Sequence, residues 1–165
     1  MTQTELLKLR QVLKNNRTTP LIIGTVSQSD SDMLAKVFAD GAIPNISAKA
    51  LADDVISNIS AHLFADAVTI DASILEADLH KSNAYTPPWM QETAQKTENG
   101  AFCYLVIDAL DTLPTGIQHK FLPLLKDRRA GLYKLPQHVQ IVMPVRYLEN
   151  ISDKIKAVSL SWTVK

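Results

Sequence analysis

The chain has little of what would staple, tag or charge a protein of its size. It has one cysteine, Cys103, in 165 residues. An internal disulfide is therefore excluded, and with it the small secreted scaffolds held by bridges. Glycine is scarce, at five residues. No stretch approaches the roughly 20 apolar residues that a membrane span needs. Met1 to Arg17 lacks the continuous apolar core of a signal peptide, which predicts a cytoplasmic protein without a membrane partner. Net charge is absent too, with 17 Lys and Arg against 17 Asp and Glu. That balance argues against a dedicated nucleic-acid binder.

What remains is the composition of an ordinary globular domain, 46% hydrophobic and 21% charged. The zero total hides an uneven layout. Residues 1–17 hold four bases and one acid, residues 18–98 four bases and eleven acids, and residues 99–165 nine bases and five acids. An acidic stretch beside a basic one favours protein partners or self-association, although solvated faces account for the same pattern.

Along the chain, apolar residues predict a regular alternation of elements. Thr2 and Glu5 form a capping-box signature, and Leu6, Leu9, Val12 and Leu13 give residues 3–16 one apolar helical side. Leu21-Ile22-Ile23 reads as a buried strand between Pro20 and Gly24. Helices are expected over 31–39 and 48–63, then a strand at Val68-Thr69-Ile70. A polar connection leads to a helix over 88–97, stopped by Asn99-Gly100. Residues 102–107 form an apolar run without alternation, the mark of a strand covered on both faces. Pro114 opens a helix to about Asp127, Val139 to Met143 is a fourth strand, and residues 157–163 a fifth. The expected fold is a three-layer α/β/α sandwich around a mainly parallel sheet of about five strands. It occupies one domain over 1–165, with an N-terminal helix at 1–17 and the core at 20–165.

Ligands in open parallel sheets bind beyond the carboxyl ends of the strands. The loop after the first strand, Gly24-Thr25-Val26-Ser27-Gln28-Ser29-Asp30-Ser31, has the length of the phosphate loop G-x-x-x-x-G-K-[ST]. It keeps the first Gly (Gly24) and the last hydroxyl (Ser31), but has Ser29 for the second Gly and Asp30 for the Lys. The missing Gly denies the backbone its close wrap around phosphate. The missing Lys matters more. At about 4 Å and an effective dielectric of about 20, a unit charge pair is worth about 4 kcal/mol. Exchanging attraction for repulsion costs several kcal/mol, where about 1.4 kcal/mol is tenfold in affinity.

The second half carries a resemblance. Leu105-Val106-Ile107-Asp108-Ala109-Leu110-Asp111 is similar to the Walker B strand and turn of AAA+ ATPases, P-loop NTPases in fold. The run Phe121-Leu122-Pro123-Leu124-Leu125-Lys126-Asp127-Arg128-Arg129, then Gly131-Leu132-Tyr133-Lys134-Leu135-Pro136, resembles the MoxR-like branch. Pro87-Pro88-Trp89 is similar to that branch's Pro-Pro-x-Trp segment, shortened by one residue. The likeness spans roughly 20–146 and is sharpest over 102–142.

Carried over by position, most of the family's chemical groups are missing. Asp108 keeps the Walker B carboxylate, but Ala109 stands where a Glu polarises the attacking water. Asp111 is no substitute, because the family commonly has Asp there as well. Arg146 stands where the sensor Asn is expected, and Ser152 to Lys156 holds no arginine finger. The chain ends at Lys165, with no room for the helical lid. The resemblance thus implies a vestigial nucleotide site (Gly24, Ser29, Asp30, Ser31, Asp108, Ala109, Arg146) with no catalytic residue, cofactor or metal. The expected role is a scaffold, a regulator or an inactive member of an assembly, with protein partners that include an active AAA+ ATPase or further copies. The alternative is an atypical ATPase that uses Ser31 and Asp108 for magnesium and borrows a cation from a neighbour.

Other chemistry finds no support. The histidines, His62, His80, His119 and His138, include no close pair suited to zinc, and no Ser sits in a nucleophile elbow. Cys103, Trp89 and Trp162 read as packing residues, and Asp53-Asp54 as a solvated helix face. Arg128-Arg129 reads as structural or as a subunit contact. A third possibility, nucleic-acid binding by the basic C-terminal third, predicts affinity that falls steeply with salt.

Overall fold

In the computed structural model, residues 3–24, 67–79 and 86–163 are described. Helix α1 (Gln3–Asn15) precedes β1 (Leu21–Gly24). After β2 (Val68–Asp71) come α2 (Ala72–Leu79), α3 (Pro88–Thr97) and β3 (Cys103–Asp108). A 3-10 turn (Leu110–Thr112), α4 (Thr115–Gln118), a second 3-10 turn (His119–Phe121) and α5 (Leu122–Asp127) follow. The short strands β4 (Arg129–Ala130) and β5 (Tyr133–Lys134) form an antiparallel hairpin. The chain continues through β6 (Val139–Val145), a 3-10 turn (Leu148–Asn150), α6 (Asp153–Ala157) and β7 (Leu160–Thr163).

The five long strands make one parallel sheet in the order β2-β3-β6-β1-β7. Alternation along each strand divides its side chains between two cores. Leu21, Ile23, Val106 and Val142 pack with Leu9 and Leu13 of α1 on one face. Ile22, Leu105, Ile107, Ile141 and Met143 face the other way, against Leu75, Trp89, Phe121, Leu124 and Ile155 from α2, α3, the second 3-10 turn, α5 and α6. Helices on both faces make the fold a three-layer α/β/α sandwich. Cover on both sides explains why β6 is buried at every position and is apolar at all of them but Gln140.

Several expected elements hold with small shifts. The helix over 88–97 appears as drawn, opened by Pro88. The third strand runs Cys103–Asp108 rather than 102–107, and the fourth extends to Val145. The expected fifth strand begins only at Leu160, because Ser152 starts α6 ahead of it, its Oγ accepting from the Ile155 N–H at 3.3 Å.

Two expectations need correction. The polar connection after β2 contains α2, which buries Ala72 and Leu75. The last residue of β2 caps it, since the Asp71 carboxylate accepts from the Ser73 N–H at 2.8 Å. The single helix expected from Pro114 to Asp127 is broken into α4, a 3-10 turn and α5. Pro123 lacks the N–H that would bond back to position 119, so the backbone tightens there. The helices expected over 31–39 and 48–63 lie outside the described residues, as do His62, His80 and Asp53-Asp54.

Cys103 is buried and burial pushes its thiol pKa up, the state of an inert packing residue. Trp89 is likewise buried in the core. Arg128 is structural. It ends α5 at a φ of 56°, and its Nη2 donates to the carbonyls of Pro136 at 2.7 Å and Val139 at 2.6 Å. This clasp fixes the β4–β5 hairpin against the start of β6, and burial lowers the Arg128 pKa.

Candidate functional site

The carboxyl ends of β1, β2, β3 and β6 bring Gly24, Asp71, Asp108 and Arg146 to one edge of the sheet. Register pairs Gly24 with Val145, the residue before Arg146, and Asp71 with Asp108. Of the residues assigned to a vestigial nucleotide site, Gly24, Asp108, Ala109 and Arg146 therefore share the strand tips. Ser29, Asp30 and Ser31 lie outside the described residues.

Gly24 has a packing reason to be glycine. A Cβ there would sit 3.0 Å from the Leu148 Cβ, at the root of that side chain, where rotation brings no relief. The close approach lets the Leu148–Asn150 turn fold against the end of β1.

Asp108 is half-buried, and its Oδ1 accepts the Ala109 N–H at 2.8 Å. Ala109 itself adopts a left-handed conformation, φ 61° and ψ 25°. Its carbonyl accepts from the Thr112 N–H at 3.1 Å and the Thr112 Oγ1 at 2.7 Å, which closes the turn. A non-glycine residue pays roughly 1–2 kcal/mol for this backbone region. The position after Asp108 thus presents a methyl group, which can neither accept nor donate a proton.

Asp111 has a role that sequence reasoning missed. It is buried, at 7% exposure, and its Oδ2 accepts the backbone N–H groups of Arg146 at 3.0 Å and Tyr147 at 3.1 Å. The carboxylate ties the turn after β3 to the end of β6. Its Oδ1 has no hydrogen-bond partner among the described residues. Burial pushes the Asp111 pKa up, against the two backbone N–H groups and the Arg146 charge, which pull it down. Arg146 contributes its main chain to this latch, where the family resemblance expects a side-chain amide.

Gln118 makes a second buried tie. Its Nε2 donates to Leu113 O at 2.9 Å and Asn150 O at 2.8 Å, while its Oε1 accepts the Ser152 N–H at 2.8 Å. Between these two ties lies an open cleft of about 660 Å³, lined in part by Asp111, Pro114, His119, Glu149, Ser152 and Lys154. Neither tie has a sequence signature, because each joins a side chain to main chain more than thirty residues away (|i−j| of 35 for Asp111 to Arg146, 34 for Gln118 to Ser152).

Among the described residues, no group of three or more His, Cys, Asp or Glu could hold a metal ion. No helix among them is long and apolar enough to cross a membrane.

No protein-family model matches the chain. No curated protein matches it either. Among solved structures it is similar to a DNA polymerase III gamma subunit-related protein from Thermotoga maritima, at 13% identity and a TM-score of 0.45. That match covers 97% of this chain and 45% of the other, so the chain spans less than half that protein's length.

Proposed function

We propose that this chain is a degenerate AAA+-type domain that works through protein contacts, as a scaffold, a regulator or an inactive member of an assembly, rather than by hydrolysing ATP. The observation that carries the reading is the turn after β3. Asp108 keeps its place at the strand tip, yet the next residue offers a methyl group, and its N–H is already spent on the Asp108 carboxylate. The other carboxylate of this turn, Asp111, is buried and occupied by the backbone of Arg146 and Tyr147. Within this turn, then, neither Ala109 nor Asp111 is placed to take a proton from an attacking water.

The loop after β1 supports the same reading through its sequence, with Ser29 and Asp30 where phosphate binding uses Gly and Lys. Ser29 and Asp30 do not fit the outer phosphates of a bound nucleoside triphosphate and its magnesium. The sequence from Phe121 to Pro136 resembles the MoxR-like segment, which is what supports that branch as the finer reading. Partners are expected to be proteins, either an intact AAA+ ATPase or further copies of this chain.

Thermal melting with and without magnesium-ATP tests the reading. Ligand at about 100-fold over Kd adds about 2.7 kcal/mol, which moves the Tm of a domain this size by roughly 5–10 °C. The expected result at millimolar ATP is no shift. A shift of that size supports the atypical ATPase instead.

A further inference from the structure

At the opposite end of the sheet from the strand tips, aromatic and cationic side chains meet on the surface. Phe102, just before β3, is 36% exposed. The Arg17 guanidinium carbon lies 4.8 Å from its ring centroid, a cation–π stack. Tyr104 and His138 meet the same ring edge-on, with centroids 6.1 Å and 6.3 Å away. Tyr104 sits two residues along the chain from Phe102, on the face covered by α1. Burial raises its phenol pKa, and the charges of Arg17 and Arg10 pull it down, so both guanidiniums lie within electrostatic reach of the hydroxyl. Arg10 and Lys14 are exposed one turn apart on α1. The backbone just before Arg17 is tied to β6, where the Gln140 Nε2 donates to Asn16 O at 3.0 Å.

This combination suits a polyanion that also carries flat rings. Three exposed cations between Arg10 and Arg17 suit a line of phosphates, and residues 1–17 hold four bases against one acid. An exposed ring beside a stacked guanidinium gives a platform for a base, whatever its identity. An acidic peptide would satisfy the cations and leave the ring unused. We propose that the surface formed by Arg10, Lys14, Arg17, Phe102 and Tyr104 binds single-stranded nucleic acid without sequence preference, with phosphates on the cations and a base on the Phe102–Arg17 pair. This goes beyond the scaffold reading and is independent of it, since the surface and the strand tips lie at opposite ends of the sheet. The chain's zero net charge confines the attraction to this patch and predicts modest affinity.

The test is fluorescence anisotropy of a labelled oligothymidylate of about 20 nucleotides, titrated with the whole chain at several salt concentrations from about 50 mM upward. Micromolar binding is expected, with log K falling against log salt at a slope of about −2, or about −0.7 for each of three cations. Phe102→Ala should weaken binding about tenfold and leave the slope unchanged, as loss of a stacked base does. Arg17→Gln should make the slope shallower by about 0.7. Melting curves of both variants establish that they fold, and the Arg17→Gln slope stands alone should Phe102→Ala not fold. Absence of binding, a Phe102→Ala variant that binds like wild type, an unchanged slope for Arg17→Gln, or displacement of the oligonucleotide by polyglutamate as readily as by unlabelled oligothymidylate would each overturn the proposal. None of these outcomes bears on whether the chain binds ATP.

Discussion

The carboxylate of Asp111 accepts the backbone N–H groups of both Arg146 and Tyr147, so one side chain on the turn after β3 holds the end of β6. The substitutions Asn and Ala separate what it does. Asp111→Asn keeps an acceptor for both N–H groups and removes the charge. Asp111→Ala strands two part-buried donors and should cost about 2 kcal/mol. The pH dependence has a definite sign. The folded-state pKa of Asp111 is raised, so its contribution is fully present below the unfolded value and is lost as pH rises through the folded one. Urea unfolding across that window should show Asp111→Asn gaining on the wild type as pH rises. A gap that widens as pH falls would contradict this.

Gly24 and Leu148 give a packing test of a residue that sequence alone assigns to phosphate. Gly24→Ala should destabilise by about 1–3 kcal/mol through overpacking. Combining it with Leu148→Gly, which removes the opposing Cβ, should recover part of that loss in a double-mutant cycle. Strict additivity of the two substitutions would show that the Cβ contact is not the cause.

Ala109 tests whether the turn stores strain. With its φ of 61°, Ala109→Gly should raise stability by about 0.5–1 kcal/mol, the left-handed penalty less the entropy that glycine loses. Ala109→Glu restores the carboxylate found in the resembling ATPases. Phosphate release from ATP should stay at background in that variant, because the loop after β1 still lacks its Lys.

Arg128→Ala should cost about 3 kcal/mol, since two part-buried carbonyls lose a charge-assisted donor. Arg128→Gly should cost about 1 kcal/mol less, because the φ of 56° suits glycine. Chemical denaturation of the pair distinguishes the guanidinium's contribution from the backbone's.

The sequence made some of this fold plain and hid the rest for physical reasons. The apolar run at Cys103–Asp108 and the helix from Pro88 announce themselves, because burial on both faces and proline at a helix start leave local marks. Helix α2 leaves none. Its cap is the last residue of a strand, and Ile74 points outward at 59% exposure, which blurs the apolar side. The break at His119–Phe121 follows from Pro123, a residue visible in the sequence whose cost is paid four positions earlier. At the site, Asp108 and Ala109 are legible through their motif. The Asp111 latch is not, because its partners are N–H groups that every residue except proline possesses.

Calorimetric titration of magnesium-ATP into the whole chain, beside a Ser29→Gly/Asp30→Lys double variant that rebuilds the phosphate loop, tests the central claim most directly. The account predicts no saturable heat from the wild type at millimolar nucleotide, with any binding confined to the rebuilt loop. Saturable binding to the wild type with a micromolar Kd would contradict it.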